Sequence, residues 1–478
     1  MDAAPLAVLR LILGITFWFW ATGYLVDDRW RVYFLEPLML FKYGGFEWVT
    51  LWPGEGIWWH FQITRLVAVC FALGLMTRVS AAVLAASMAY VLLVERQIYN
   101  NHDYLLACTA MLCVFLPCGR RLSIDGWLSS RLFASKQQST MPLWIWALVR
   151  FQLGMPYVFG AIAKLDTDWL AGQPAGLFVG ARTEMPWIGP LFESPAAPYV
   201  MAWGGFFFDL LIVPALLWKK TRPLGVLAAL AFHLTNATIF QIGVFPWFML
   251  ATLYVFFPVG FIPAILKRIK PAKIDEESKR PSIASRRERL LAAFAALYVL
   301  VQLMLPIRPW VLPGNPSWNE RGQRFAWRMM LRHKDCLLWF KLETKDDFLF
   351  VPAGKVMTPN QKQRAPRDPE LVRQAALRLQ AMAAELGQTE CRVYALNLVS
   401  LNGRPACAII DPDADLTKVR RGWWKDDWVI QDPGPLPKSP WRMPLDLWWE
   451  EVPVPERFGL LTKMRPSQAE AAFAKVGG

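Results

Sequence analysis

Polar side chains embedded in apolar runs are the natural candidates for chemistry in this sequence, because each is costly to keep there. Only four histidines occur, His60, His102, His233 and His333. His60 and His102 each stand at the start of a long apolar run, the second in Tyr99-Asn100-Asn101-His102-Asp103, while His233 lies inside one. Lys164 closes another, in Ala163-Lys164-Leu165-Asp166-Thr167-Asp168-Trp169. Imidazoles, and an amine whose charged form burial disfavours, are groups fitted to moving protons. Each also has a plainer role. A lysine at a helix end commonly snorkels or complements the macrodipole, with Asp166 or Asp168 as its partner. A lone histidine in an apolar helix is commonly a hydrogen-bonded core residue. Three histidines could in principle bind a metal, but no HxxxH spacing supports one and none is expected. The seven cysteines show no pairing of CxxC with CxxC.

A series of long apolar runs must position these groups. The 478 residues are 55% hydrophobic and only 19% charged, with mean hydropathy +0.26. An ordinary soluble protein is about a quarter charged, so a cytosolic enzyme of the usual kind is excluded. Runs near the roughly 20 residues needed to span a bilayer lie at 4–25, 56–76, 79–95, 102–117, 142–163, 197–218, 223–239, 244–266 and 290–306. This predicts a polytopic helix bundle of about nine spans, with the first run retained rather than cleaved as a signal peptide. A further stretch, 33–53, is broken by Glu36, Pro37, Lys42, Gly44, Gly45 and Pro53 and reads as an interfacial or re-entrant loop. His60, His102, His233 and Lys164 would then sit at similar depth, near the outer leaflet.

Alternate loops carry 17 against 6 lysines and arginines. That bias places the N-terminus inside and, with nine spans, the C-terminal region outside. Arg10 reads as snorkelling near the inner surface, whereas Arg65 and Arg150 lie deeper and call for buried polar partners. The net charge of +14 is shared between the two parts, +6 of it in 307–478. The membrane surplus sits in loops beside headgroups, so nucleic acid is not an expected partner. The Leu122-Ser123-Ile124-Asp125-Gly126-Trp127 motif falls on the inner side and reads as structural, and the sequon Asn236-Ala237-Thr238 lies within a span.

After 306 the pattern changes. Short β-like runs at 337–342, 348–351, 393–399 and 406–410 flank a helix that begins at Asp368-Pro369 and stops at Gly387. The fold class expected is therefore mostly α: a transmembrane domain over 1–306, an outer mixed α/β or β-rich domain over 307–430, and a Pro- and Trp-rich tail over 431–478 that packs on the rest. The outer side would permit a disulfide among Cys336, Cys391 and Cys407.

Asn100-Asn101-His102, the 163–169 segment, and His233 followed by Ile242-Gly243-Val244-Phe245-Pro246-Trp247 occur in that order. Together they resemble the vitamin K-dependent gamma-carboxylase family and its bacterial relatives, which share the transmembrane HTTM domain. Trp318, the Arg324-Phe325-Ala326-Trp327-Arg328-Met329-Met330 segment and Ile410-Asp411-Pro412 look like that family's luminal region. The resemblance implies a base, here Lys164, that deprotonates reduced vitamin K, a menaquinol-like hydroquinone. Asn101 and His102 would hold the hydroquinone oxygens, and His233 matches another polar position of the same helices. The co-substrates implied are O₂ and CO₂, the products an epoxide and a carboxylated glutamate, and the partners membrane lipid, a prenylated quinol and a Glu-containing protein or peptide.

A base role asks that Lys164 be neutral. Bringing its value from about 10.4 down to about 7–8 takes roughly 3–5 kcal/mol of differential destabilisation. Apolar burial can supply this, and a touching carboxylate would oppose it, so Asp166 and Asp168 are expected to point away. Phe206, Phe207 and Phe208 could line a lateral route for the quinol or simply face lipid. The outer domain is shorter than that of the animal enzymes, where this region bears the substrate contacts. The lack of a usable sequon points to a bacterial plasma membrane. The rival reading is a non-catalytic quinone- or lipid-binding module presenting the outer domain to a partner. A transporter ranks third, for want of a duplicated half.

Overall fold

The computed structural model describes residues 1–132, 140–240, 242–269, 286–422 and 424–463. All nine apolar runs are helical: α1 (Ala4–Leu25), α2 (Gly56–Leu73), α3 (Thr77–Val94), α4 (Asn101–Phe115), α5 (Leu143–Ala163), α6 (Ala197–Leu217), α7 (Arg222–Phe240), the pair α8 (Phe245–Thr252) and α9 (Phe261–Ile269), and α10 (Arg286–Val311). Among the described residues, seven helices are long and apolar enough to cross a membrane, and eight if the pair at 245–267, bent by 90°, counts as one broken span. The remaining run, 102–117, gives only the 15 residues of α4. Its start is fixed by Asn100, whose side chain accepts from the Asp103 N–H at 2.8 Å. Its end is fixed by Pro117, which disfavours helical backbone in the residue before it.

The intramembrane cations bond to protein groups. Arg10 does not snorkel. It is 2% exposed and donates to the carbonyls of Ala72 at 3.2 Å, Cys118 at 2.8 Å and Arg121 at 3.2 Å, and to that of Leu122. These carbonyls lie at the end of α2 and in the turn after α4, where helix geometry leaves them without partners. Gly74, which ends α2 at φ +71°, is required there twice over, since a Cβ would lie 2.7 Å from the Arg10 guanidinium. Arg150 likewise donates to the carbonyls of Val255 and Phe257 at 2.8 and 2.5 Å, and Arg65 to Gln62 Oε1 at 3.2 Å. Asp125 accepts from the Met76 and Thr77 N–H groups at 2.7 Å, a structural role. Lys136, Lys270, Lys273, Lys279 and Arg280, all counted in the charge bias, lie outside the described residues.

The outer region holds a four-stranded antiparallel sheet of order β2-β1-β3-β4, with β1 (Lys334–Glu343), β2 (Phe348–Pro352), β3 (Arg392–Leu401) and β4 (Cys407–Ala408). Successive side chains alternate faces. Leu338 and Phe340 of β1 and Val393 and Ala395 of β3 meet α11 (Pro369–Glu385). Trp339, Tyr394 and Leu396 meet Trp448, Phe458 and Leu461 of the tail. With both faces covered, β3 reads as a near-continuous apolar strand. The 33–53 stretch buries Phe34 and Val49 in the bundle core. Phe41, fully buried, is part of the same core as α11 and the sheet, so this loop fastens the bundle to the outer domain. All seven cysteines carry free thiols.

Candidate functional site between the bundle and the outer domain

A cavity of about 900 Å³ lies where the helices meet the outer domain. Its lower wall is built from the bundle: Asn101 and His102 at the start of α4, Tyr157 on α5, Lys164 just past α5, Asp209 on α6 and His233 on α7, among apolar neighbours. Its upper wall is built from Glu320, Gln323, Arg324, Arg332, Arg367 and Asp368. Three of the four groups expected at one depth thus converge. The exception is His60, whose Nε2 is 2.9 Å from Ser87 Oγ on α3, away from the cavity.

Lys164 is 5% exposed. Its backbone N–H still belongs to the last turn of α5, bonded to the Gly160 carbonyl at 3.1 Å. The side chain passes over the Trp169 ring, with Nζ 5.3 Å from the centroid, and Trp169 is itself fixed by a 2.7 Å bond to the Ala202 carbonyl. Asp166 and Asp168 do point away. Asp166 lies 3.5 Å from Arg328, and Asp168 receives both Arg404 terminal nitrogens, at 2.6 and 2.8 Å, and the Asn402 amide at 2.9 Å. The carboxylate that Lys164 does meet is Asp209, through Oδ2. Asp209 is 2% exposed, and its approach needs Gly160, where a Cβ would lie 2.7 Å from that oxygen. The sequence did carry a signal for Asp209: it is the one charged residue in the 197–217 run, and a charge inside a span is a functional candidate.

His233 is 1% exposed. Its Nε2 is 2.9 Å from Tyr157 Oη, and its buried Nδ1 has no hydrogen-bond partner among the described residues. His102 stands against Phe245, ring centroids 5.6 Å apart. The Asn101 Oδ1 accepts from Tyr99 Oη at 3.0 Å. Phe208 lies face to face with Phe232 at 3.8 Å and lines the cavity, whereas Phe207 is exposed.

The upper wall is a web of paired charges. Asp368 caps α11 through the Glu370 N–H at 3.0 Å and receives Arg96 and Arg324, both at 2.8 Å. Burial by itself would raise its proton affinity, but Arg96 and Arg324 outweigh it and hold the carboxyl well below the usual carboxylate range. Glu320 is held down in the same way: burial pushes it up, and Arg332 with Lys334 pulls it lower. The Arg367 Nε has no partner among the described residues. No group of three or more His, Cys, Asp or Glu among the described residues is placed to hold a metal ion.

A family model for the HTTM domain matches residues 1–261, more than half of the chain. A second, the vitamin K-dependent gamma-carboxylase lumenal domain, matches residues 287–434. The chain belongs to the vitamin K-dependent gamma-carboxylase family. It is an integral membrane protein of that family, and the two matches meet across the cavity: the bundle supplies its lower wall and the lumenal-type domain its upper one. No solved structure matches the chain.

Proposed function

We propose that this protein is a gamma-carboxylase-type membrane enzyme that couples epoxidation of a reduced vitamin K, a menaquinol-like hydroquinone, to proton removal and CO₂ addition at a glutamate side chain. Lys164 is the base, and Asn101, His102 and His233 hold the quinol. The observation that carries this reading is that all four residues, drawn from three separate segments, line one cavity.

The residues present suit such a ligand. The His233 Nδ1, buried and without a partner, is a polar atom that a quinol hydroxyl would satisfy, and leaving it unmade costs about 1–3 kcal/mol. The aromatic lower wall suits a prenylated ring arriving sideways from lipid. When bound, the hydroquinone supplies an oxidisable ring whose reaction with O₂ yields the epoxide and a strong base. Lys164 accepts the proton of the quinol hydroxyl; Asn101 and His102 orient the ring; the surrounding walls keep water out, which protects the chemistry from quenching. The cations of the upper wall outnumber its two carboxylates, and the unpartnered Arg367 Nε is a donor available to an acceptor carboxylate. The positive-inside bias supports the N-terminus inside and the C-terminal domain outside, and the lack of a usable sequon supports a bacterial plasma membrane.

The test is Lys164→Ala in lipid bilayers, supplied with a short-chain prenylated naphthohydroquinone, O₂, CO₂ and a Glu-containing peptide. Loss of epoxide with an unchanged unfolding temperature supports the assignment. An unchanged epoxide yield removes it and leaves a non-catalytic quinone-binding module.

A further inference from the structure

We propose that Asp209 is the proton-holding partner of Lys164: it takes up, as a carboxyl, the proton that would otherwise leave Lys164 an ammonium, so that a neutral amine faces the quinol. This rests on the reading of Lys164 as the base. The difficulty it resolves is plain in the geometry. The amine is buried, which disfavours an ammonium, yet its one ion-pair partner among the described residues is an equally buried carboxylate, which favours it. Two charges in an apolar wall are costly, and moving one proton along the Nζ–Oδ2 contact turns an ion pair into an amine and an acid with no net charge on either.

The protons balance. In the first step an N–H bond of Lys164 breaks and an O–H bond forms on Asp209. In the second the quinol O–H breaks, its electron pair stays on the quinol oxygen, and the freed proton forms a new N–H on Lys164. The pair gains one positive charge as the quinol gains one negative charge. Asp209 acts through Lys164 and is a positioning residue, not one that meets the reacting oxygen.

Other titratable groups are placed so that they do not displace this partnership. Tyr157 on α5 lies near Asp209 and is bonded to His233 on α7, which lines the same cavity. Asp166 and Asp168, on the loop after Lys164, are engaged by Arg328 and Arg404. Glu320, Arg324 and Arg332 lie on the opposite wall of the cavity and pair among themselves or with Asp368.

The experiment compares wild type, Asp209→Asn, Asp209→Glu, Gly160→Ala and Lys164→Ala in bilayers, by two readouts. The first is the pH profile of epoxide formation. In D209N the rising limb moves at least one pH unit upward, because an unpaired lysine must lose its own proton to bulk solvent; D209E keeps the limb in place. G160A, whose new Cβ would lie 2.7 Å from Asp209 Oδ2, moves it the same way as D209N. The second needs no quinol: a wild-type-minus-D209N infrared difference spectrum at neutral pH contains the carbonyl band of a protonated carboxyl. A limb that stays in place in D209N, with the rate merely lower at every pH, overturns the proposal, as does a difference spectrum holding only ionised carboxylate bands. If K164A is inactive and D209N unshifted, only Asp209 loses its role; if K164A stays active, the base assignment itself falls.

Discussion

The two walls of the cavity are made in opposite ways. The lower wall is regular: long apolar helices whose few polar groups project from helix ends or interiors and whose backbone pairs mainly within each helix, as a lipid setting demands, with a break in that pairing at Pro156. The upper wall is irregular and strained. Between Glu320 and Met330 four non-glycine residues, Glu320, Phe325, Trp327 and Met330, hold φ between +54° and +61°, each at a cost on the order of 1–3 kcal/mol. Tertiary bonds sustain this shape. The Phe325 N–H donates to Tyr99 Oη at 2.7 Å, Arg308 to the Arg324 carbonyl at 2.6 Å, and Arg328 to Gln323 Oε1 at 3.0 Å. One wall is built from regular helices and buries Lys164, Asp209 and His233 among apolar neighbours. The other is held in an unfavourable shape by its surroundings so that charges face downward into the cavity. A site for a greasy ring and a charged acceptor needs both.

Breaking each wall should therefore have a different signature. The largest effect belongs to the lower wall: Lys164→Ala lowers epoxide formation by roughly 10²–10⁴-fold, the usual share of a general base, with thermal unfolding in detergent unchanged. Next comes the tie between the walls. Arg404→Ala leaves Asp168 buried and unpaired and costs about 3–5 kcal/mol, read as a lower unfolding temperature together with lost activity. The third effect is on pH. Asp368 is held below its ordinary range, so the stability it contributes is fully present above the unfolded value of about 3.9 and is lost as pH falls from there toward the folded value. Acid unfolding of wild type should steepen below about pH 4, and Asp368→Asn should be less stable at neutral pH with that acid step flattened. The smallest effect sharpens the contrast: Arg367→Ala should raise KM for a Glu-containing peptide about tenfold more than KM for the quinol, measured in the same assay.

Much of the lower wall was legible in the sequence. The nine apolar runs announce themselves by length, and Asn101, His102, Lys164 and His233 stand out because polar groups are rare in such runs. The strands and α11 were equally visible, through β-branched and aromatic runs and through the Asp368-Pro369 start with its Gly387 stop. Three things were not. Arg10 looked like a surface-seeking cation because its distance from the inner face is short; the carbonyls it caps come from residues 72 and 118–122, and no local pattern predicts them. Asp209 is visible as the one charge in the 197–217 run, but nothing in the sequence pairs it with Lys164, 45 residues away and directly opposite. The shape of the upper wall depends on left-handed backbone at residues other than glycine, which composition does not encode.

Asp168 lies four residues past the proposed base and is gripped by Arg404 and Asn402, at the far end of the outer sheet. The outer domain is therefore bolted to the very segment that carries Lys164, and it cannot lift away as a hinged cap without dragging the amine along. If the proposed function holds, a ring would enter between helices rather than under a lifted cap, and chimeras that graft a foreign outer domain will dislodge the lysine unless the graft brings its own clasp for residue 168.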